Sequence, residues 1–238
     1  MNLLITGASS GIGETIARRA VEAGHRVVLM ARRTDLLDQL ADDLNNQQLN
    51  STVVCPGDVG AWEDGLRAIE TGQKTFGSLD GLVNAAGAWV EEPLDTATPG
   101  DIEHFIHTDV TGATLITRAI LPLLRDNPNG RVIHINGLQG YIRQRPPVLY
   151  TMVEAAVRGL CESLRWEAAE YGVHVGLITL GGVANTAPDA PGPEVLHDSE
   201  RGHLLSRNDV AEAVLFMLSR PSGVNIDELV LTPLGQKF

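Results

Sequence analysis

The chain has 238 residues, a hydrophobic fraction of 43% and a formal net charge of −12 at pH 7. This length suits one α/β domain with a single sizeable core, and the hydrophobic fraction is ordinary for a globular chain and too high for a disordered one. The negative charge argues against nucleic acid or an anionic membrane surface as a partner.

Signals for targeting and for metal binding are sparse. The chain begins inside an apolar run, shows no signal-peptide pattern and has no apolar stretch long enough to span a bilayer, so we expect a cytoplasmic protein. Its two cysteines, Cys55 and Cys161, lie far apart and lack the spacing of a metal site. We therefore predict that both are reduced core residues and that no metal is bound.

The start of the chain carries its most specific pattern. Residues 2–6 form a short apolar run, residues 7–13 follow at once as a glycine-rich turn, and residues 14–23 carry helical periodicity. A strand, a glycine turn and a helix in direct succession form the arrangement that holds a dinucleotide pyrophosphate.

Three glycines in this turn have separable roles. Gly7 allows the tight turn, Gly11 lets the backbone approach the phosphates, and Gly13 lets the helix pack closely on the strand. Free N–H groups at the positive end of the helix then face the anion. A tight turn without a ligand is the alternative, but three glycines before one helix reduce stability in a way that a plain turn does not require.

The end of the second predicted strand, residues 26–31, indicates which dinucleotide is bound. Folds that prefer NAD place an acid there to bind the ribose 2′-hydroxyl, whereas this chain has Arg32 and Arg33. Because an arginine can pair with a 2′-phosphate through two charge-assisted hydrogen bonds, the sequence favours NADP. A pair of solvated arginines is the alternative, and it is more credible for Arg33 than for Arg32.

The rest of the chain alternates between strand and helix patterns. Helices are predicted over residues 34–46 (with Thr34 as N-cap), 102–124, 148–171 and 208–219, and strands over 51–55, 79–83, 131–136, 173–179 and 228–232. This alternation predicts one doubly wound Rossmann domain over residues 1–238, with a parallel seven-stranded sheet flanked by helices. The proline-rich segment at about 181–206 follows the carboxyl end of a strand and is expected to cover the substrate.

These motifs resemble those of the short-chain dehydrogenase/reductase family, and the resemblance covers nearly the whole chain. It rests on the Gly-x3-Gly-x-Gly spacing of the turn, on residues 84–87 (Asn-Ala-Ala-Gly) after the fourth strand, and on Asp58-Val59 at the family's adenine-contacting position. For Asp58, capping of the next helix is an equal alternative. The resemblance also implies a homodimer or homotetramer that associates through the two longest helices.

The resemblance implies NADP(H) as the cofactor and a small molecule as the substrate. The implied cofactor-binding positions are Gly7, Ser9, Ser10, Gly11, Ile12, Gly13, Arg32, Arg33, Asp58, Val59, Asn84, Ala85, Ala86, Gly87, Tyr150, Glu154, Gly181 and Val183.

The catalytic positions depart from the family pattern. The family uses a serine after the fifth strand, a tyrosine, a lysine four residues later, and an asparagine on the preceding long helix. Here Gly137 replaces the serine, Tyr150 is retained, Glu154 replaces the lysine, and Asp109 replaces the asparagine. Asn136, beside Gly137, could serve as a hydrogen-bond donor in place of the serine, which is a guess from position alone.

Exchanging the lysine for Glu154 changes the chemistry expected of Tyr150. A nearby negative charge raises the pKa of a tyrosine, so Tyr150 is a poor general base for alcohol oxidation but less handicapped as a proton donor in reduction. Alternatives without catalysis remain open: Glu154 could pair with Arg158 one turn later, Asp109 could hydrogen-bond locally, and Tyr150 could be a packed aromatic. His134, inside a strand, is predicted to be a satisfied core histidine.

Three functions fit this pattern. The first is an NADP(H)-dependent oxidoreductase that reduces a C=O or C=N bond, the C=N form being suggested because Asp109 and Glu154 would stabilise a cationic iminium. The second is a nucleotide-binding sensor or partner subunit without hydride transfer. The third is a non-redox lyase, cyclase or isomerase that uses Glu154 or Asp109 as its acid or base. We favour the first because the phosphate-binding turn is intact.

Overall fold

A computed structural model describes residues 1–88, 92–125, 127–138, 147–184, 197–198 and 202–234. Its strands are β1 Asn2–Thr6, β2 Arg26–Ala31, β3 Thr52–Pro56, β4 Gly81–Asn84, β5 Arg131–Gly137, β6 His174–Leu180, β7 His197–Asp198, β8 Gly202–His203 and β9 Glu228–Leu231. Its helices are α1 Gly11–Glu22, α2 Thr34–Gln47, α3 Trp62–Phe76, α4 Pro99–Phe105, α5 Ala113–Leu124, α6 Val148–Ala169 and α7 Arg207–Leu218, with a π-helical segment Ile106–Gly112 between α4 and α5.

Seven strands form one parallel sheet in the order β3-β2-β1-β4-β5-β6-β9. The prediction of a doubly wound, seven-stranded parallel sheet is confirmed. Because all the strands run the same way, their carboxyl ends share one edge, and the strand order reverses between β1 and β4. Ligands of such sheets bind in the crevice outside that reversal point.

The two faces of the sheet pack against two separate layers of helices. Leu3 and Ile5 of β1 point into a core shared with α1, α2 and α7, whereas Leu4 points into a core shared with α3, α5 and α6. This alternation follows from the two-residue repeat of a strand. All three side chains are fully buried, which stabilises the fold by about 1.5–3 kcal/mol for each. The rigid sheet fixes the positions of the loops at its carboxyl edge.

The predicted N-cap of α2 is wrong by one residue. Arg33, not Thr34, is the N-cap, because its backbone is extended and Thr34 is the first helical residue. The N-cap of α3 is Ala61, so Asp58 does not cap that helix. Its carboxylate instead accepts a hydrogen bond from the Gly60 N–H (2.8 Å), which closes the turn ahead of α3.

The helix predicted over residues 102–124 is interrupted. It begins earlier, at Pro99, because the Thr98 side chain caps it by accepting a hydrogen bond from the Asp101 N–H. Residues 106–112 then adopt the wider π-helical turn before α5 begins. π-helical segments are rare in proteins, but those that occur are frequently found at functional sites. Asp109 lies in the middle of this one.

Most of the segment at about 181–206 lies outside the described residues. At the two ends of the segment, Val183 forms a parallel bridge with Leu205. Within it, β7 pairs with β8 in an antiparallel arrangement that the sequence pattern did not predict. The expected substrate-covering role and the organisation as a single domain stay predictions. No helix in the described part of the chain is long and apolar enough to cross a membrane.

Candidate active site

The glycine turn between β1 and α1 is shaped by close backbone contacts on one side and open space on the other. A Cβ atom on Gly7 would lie 2.5 Å from the Ala85 carbonyl oxygen, and one on Gly13 would lie 2.3 Å from the Gly7 carbonyl oxygen. Gly11 has a φ of +62°, and a Cβ there would meet no atom within 4 Å. Packing therefore explains Gly7 and Gly13, while Gly11 leaves free space at the amino end of α1, where a phosphate can approach.

Arg33 closes over the glycine turn. Its Nη2 donates to the Ser9 hydroxyl at 2.9 Å and also to the Ser10 hydroxyl, and its Nε lies 3.2 Å from Ser9 Oγ. Arg32 is also exposed, and within the described residues its side chain makes no hydrogen bond or ion pair. Arg33, for which the solvated alternative was the more credible of the two arginines, thus lies beside two hydroxyls in an arrangement suited to an anion.

The loop after β3 holds Asp58 and Val59 at the same edge of the sheet. The Asp58 N–H donates to Asp64 Oδ2 at 2.8 Å, and Val59 is buried against Gly112 of the π-helical segment. The exposed His107 ring lies over this loop, with Nε2 at 3.6 Å from Asp58 Oδ1. Sequence reasoning missed His107, because nothing local indicates that the π-helical turn brings it to the predicted adenine end.

A buried polar chain anchors the loop that follows β4. The Thr6 hydroxyl donates to Asn84 Oδ1 and accepts from the Ala86 N–H at 3.1 Å. The Asn84 amide contacts His134 Nδ1 at 3.3 Å, and His134 Nε2 lies 3.1 Å from the Thr117 hydroxyl.

His134 is fully buried, and burial lowers its pKa to about 4, so its ring is neutral at pH 7. Its Nδ1 then accepts from the Asn84 amide, and its Nε2–H donates to the Thr117 hydroxyl. The prediction of a satisfied core histidine is confirmed, and its hydrogen bonds help to hold the loop after β4 on the sheet.

The carboxylate of Glu154 is buried between β5 and α6. Its Oε2 accepts a hydrogen bond from the Gly137 N–H, and the Tyr150 hydroxyl donates to the same carboxylate. The Asn136 amide donates to the Glu154 main-chain carbonyl at 3.2 Å and is buried. The Asn136 amide thus holds the Glu154 backbone, and its expected role as a donor to substrate stays a prediction.

The charge of Arg158 is directed mainly away from Glu154. Its guanidinium makes a two-point contact with Glu228, at 2.9 and 2.7 Å, across the end of the sheet. From there its positive charge still lowers the pKa of Glu154, as do the bonds from Gly137 and Tyr150, but burial outweighs these effects and raises that pKa overall.

Asp109 faces the same cluster from the π-helical segment. Its Oδ2 accepts a hydrogen bond from the Ala88 N–H at 3.0 Å, and its Oδ1 lies 3.1 Å from where a Cβ on Gly87 would stand. The bond to Ala88 spans 21 residues, so Asp109 does not act as a local cap. The Phe105 ring stacks on Tyr150, with centroids 6.1 Å apart, and fills the space behind the cluster.

Burial raises the pKa values of Asp109, Tyr150 and Glu154, and nearby negative charge raises those of Asp109 and Tyr150 further. Burial, followed by the charge of Glu154, raises the pKa of Asp109 to about 7, against the lowering effect of the Ala88 bond. Burial, followed by Glu154 and then Asp109, raises the pKa of Tyr150. The sequence-based expectation of a raised tyrosine pKa is confirmed, although burial contributes more than the carboxylate does.

The remaining predicted positions lie at the carboxyl end of β6. The Gly181 N–H donates to the Leu231 carbonyl at 2.8 Å, and Val183 pairs with Leu205. They share the sheet edge with the glycine turn, and their contact with a cofactor stays a prediction. The two cysteines, Cys55 and Cys161, are free and buried, as predicted.

The sheet order, with the glycine turn at its reversal point, defines a protein of the Rossmann class. The chain belongs to the short-chain dehydrogenase family, whose model, described as "short chain dehydrogenase", matches residues 1–192. It is similar to an uncharacterized oxidoreductase of Staphylococcus aureus strain MW2, with 32% identity over 231 residues, covering 97% of this chain and 96% of that protein.

Solved structures agree with this assignment. Serine dehydrogenase from Escherichia coli superposes with a TM-score of 0.86 and 29% identity, and the match covers 100% of both chains. The closed form of serine dehydrogenase in complex with NADP⁺ superposes with a TM-score of 0.88 and 29% identity, covering 100% of this chain and 97% of that one. The chain is therefore an oxidoreductase-family member with the fold of nicotinamide-dependent enzymes.

Proposed function

We propose that the protein is an NADP(H)-dependent oxidoreductase that reduces a C=O or C=N bond of a small molecule with a non-standard active site. The observation that carries this proposal is the contact of the Arg33 guanidinium with the hydroxyls of Ser9 and Ser10 in the glycine turn. A guanidinium and two hydroxyls beside an open helix amino end form a site for two anionic groups, a pyrophosphate and a 2′-phosphate.

The residues present fit that cofactor. Gly11 leaves room for the pyrophosphate, Arg33 with Ser9 and Ser10 would hold the 2′-phosphate, and the buried Asn84–His134 chain fixes the loop that lines the nicotinamide half. The relative bound to NADP⁺ supports the same assignment. When bound, NADPH supplies a hydride, and the protein residues orient the substrate and move its proton.

Reduction is the direction that the site favours. Oxidation of an alcohol needs a base, and a tyrosine whose pKa is raised by burial and by Glu154 stays protonated at neutral pH and cannot take up a proton. Reduction needs a proton donor, and the neutral forms of Tyr150 and Asp109 both carry a proton. The site thus suits the uptake of a hydride and a proton by an unsaturated substrate.

One observation favours a second function, nucleotide binding without hydride transfer. Gly137 and Glu154, which replace the family's serine and lysine, bond to each other instead of presenting a hydroxyl and a cation to a substrate. A protein of this kind would bind NADPH tightly and leave it unoxidised. A non-redox lyase, cyclase or isomerase would differ again, because it would turn over substrate after the cofactor had been stripped.

The test is calorimetric titration of the purified protein with NADPH and NADH, followed by NADPH consumption on a panel of ketones and imines. We expect NADPH to bind more tightly than NADH, and Arg33→Ala to weaken NADPH binding by roughly 10- to 100-fold, the loss of charge-assisted bonds worth about 1.5–3 kcal/mol. Arg125→Ala, a surface change at the far end of α5, is the matched control. Failure to bind either nucleotide would refute the proposal, and tight binding without consumption would favour the second function.

A further inference from the structure

We infer that the bond reduced is the C=N bond of a basic imine, and that Asp109 donates the proton to its nitrogen and then balances the charge of the iminium. This inference rests on the proposed function and assigns a substrate class to the same site. It follows from two features of the site: which acidic groups already donate their proton to another protein group, and the sign of the charge around the reacting atoms.

The Tyr150 hydroxyl is engaged within the protein. It donates to the Glu154 carboxylate, which also accepts the Gly137 N–H. Asp109 differs, because Oδ2 accepts the Ala88 N–H while Oδ1 takes no hydrogen bond from the described part of the chain. Oδ1 lies instead beside the α-carbon of Gly87, in the motif that lines the cofactor in this family. Asp109 is therefore the acid whose second oxygen is available to a substrate.

A carbonyl substrate suits this site poorly. Hydride addition to a ketone places negative charge on oxygen, which needs nearby donors or cations. Here Gly137 supplies no hydroxyl and Glu154 supplies no cation, and the charged groups of this cluster are two carboxyls, the buried Glu154 and the half-buried Asp109. Like charges in a buried site repel strongly, and each ionised carboxylate would raise the barrier.

An imine reverses the sign of this interaction. Proton transfer breaks the O–H bond of Asp109 and forms an N–H bond, which produces an iminium beside an aspartate. The iminium carbon would then take up the hydride that bound NADPH supplies, so that the π electrons become the nitrogen lone pair, the imine is reduced to a neutral amine and the cofactor is oxidised. Asp109 and Glu154 balance the positive charge of the iminium until the hydride is taken up, and solvent returns the proton to Asp109.

The titration of Asp109 fits this task. The ionisable groups that face it from α6 are Glu154 and Tyr150, and the described part of the loop after β4 contributes the Ala88 N–H. His107, two residues away on the same segment, turns to Asp58 instead. With its pKa raised to about 7, Asp109 is partly protonated at neutral pH, where a general acid is most effective.

The test compares two substrates with one carbon skeleton, a neutral five-membered cyclic imine and its N-methyl iminium salt, each with saturating NADPH near pH 8. Asp109→Asn keeps the shape of the side chain and an acceptor for the Ala88 N–H. We expect kcat/KM to fall by roughly 100-fold or more on the imine, the usual worth of general acid catalysis, and by less than about 10-fold on the iminium, which needs no proton. Asp42→Asn, an exposed change on α2, is the control and is expected to alter neither.

A second readout does not depend on turnover. Infrared difference spectra of the cofactor-free protein should show a protonated carboxyl band that is lost as the pH rises through about 7 and is absent in Asp109→Asn. Equal losses on both substrates, or a titrating band that survives in Asp109→Asn, would overturn the assignment of the proton donor. Reduction of ketones without imines would overturn the substrate class while leaving the proposed function intact, whereas failure to bind NADPH would remove the proposed function itself.

Discussion

Replacing Asp109 with asparagine is expected to make the protein more stable at alkaline pH. Burial and the charge of Glu154 raise the pKa of this carboxyl from its ordinary value of 3.8 to about 7 in the folded protein. A group whose pKa is higher in the folded than in the unfolded state gives stability that is complete below the unfolded pKa and is lost as the pH rises through the folded pKa. The loss from Asp109 therefore accumulates between about pH 4 and pH 7.

The size of the effect follows from the same two values. The difference between 3.8 and about 7 corresponds to about 4 kcal/mol at most, at about 1.36 kcal/mol for each pKa unit. Asparagine carries no charge, so its free energy of unfolding should lack this penalty. We expect the variant and the native protein to be similar near pH 4, and the variant to be more stable near pH 8 by as much as about 4 kcal/mol.

Urea unfolding at several pH values and fixed protein concentration measures this difference directly. His134 acts in the opposite sense, because burial lowers its pKa to about 4 and its contribution is lost as the pH falls from about 6.5. That contribution is common to both proteins and cancels when their unfolding free energies are subtracted. A gap that stays constant with pH, or one that also appears in Asp42→Asn, would show that Asp109 is not the buried titrating group.

Three further predictions concern the supports of the site. Gly13→Ala should cost more than about 2 kcal/mol of unfolding free energy, or prevent folding, because its Cβ would lie 2.3 Å from the Gly7 carbonyl oxygen. The control Gly159→Ala, in open space on α6, should instead add about 0.5–1 kcal/mol to the unfolding free energy, and equal effects of the two changes would contradict the packing of the turn. His134→Leu should cost about 2 kcal/mol or more in urea unfolding, because the Asn84 amide N–H and the Thr117 hydroxyl both lose the His134 ring as a buried partner, and a neutral result would mean that this polar chain is dispensable. Glu154→Gln should lower the pKa of Tyr150, and ultraviolet titration that shows no tyrosine ionising at lower pH than in the native protein would contradict the hydrogen bond between them.

The sheet and the glycine turn could be predicted from the sequence because their signals are local. Apolar runs bounded by turns give the strands, and close packing leaves no alternative to glycine at residues 7 and 13. The parallel direction of neighbouring strands then follows from the helices that connect them.

The site was less predictable because side-chain directions depend on packing between distant elements. The sequence identified Asp109, Tyr150 and Glu154 by position, but nothing local predicts the π-helical turn that holds Asp109 against Ala88. The same limit explains Arg33, whose hydrogen bonds to the glycine turn depend on how the end of β2 meets that turn. Tertiary contacts, and not composition, decide which of two adjacent arginines faces the glycine turn.

The replaced catalytic residues form an ordered set, which argues against simple decay of an active site. An ionisable group that loses its partner in a buried site carries a penalty of several kcal/mol. Here each buried acid has a donor: Glu154 has the Gly137 N–H and the Tyr150 hydroxyl, and Asp109 has the Ala88 N–H. The loss of the serine side chain and the gain of Glu154 fit together, because the carboxylate bonds to the backbone N–H at the position that lacks the serine hydroxyl. A site whose acids each have a hydrogen-bond donor, and in which the charge of Glu154 still raises the pKa of Asp109, suits a positively charged ligand, and that is the physical basis for proposing a nitrogen cation.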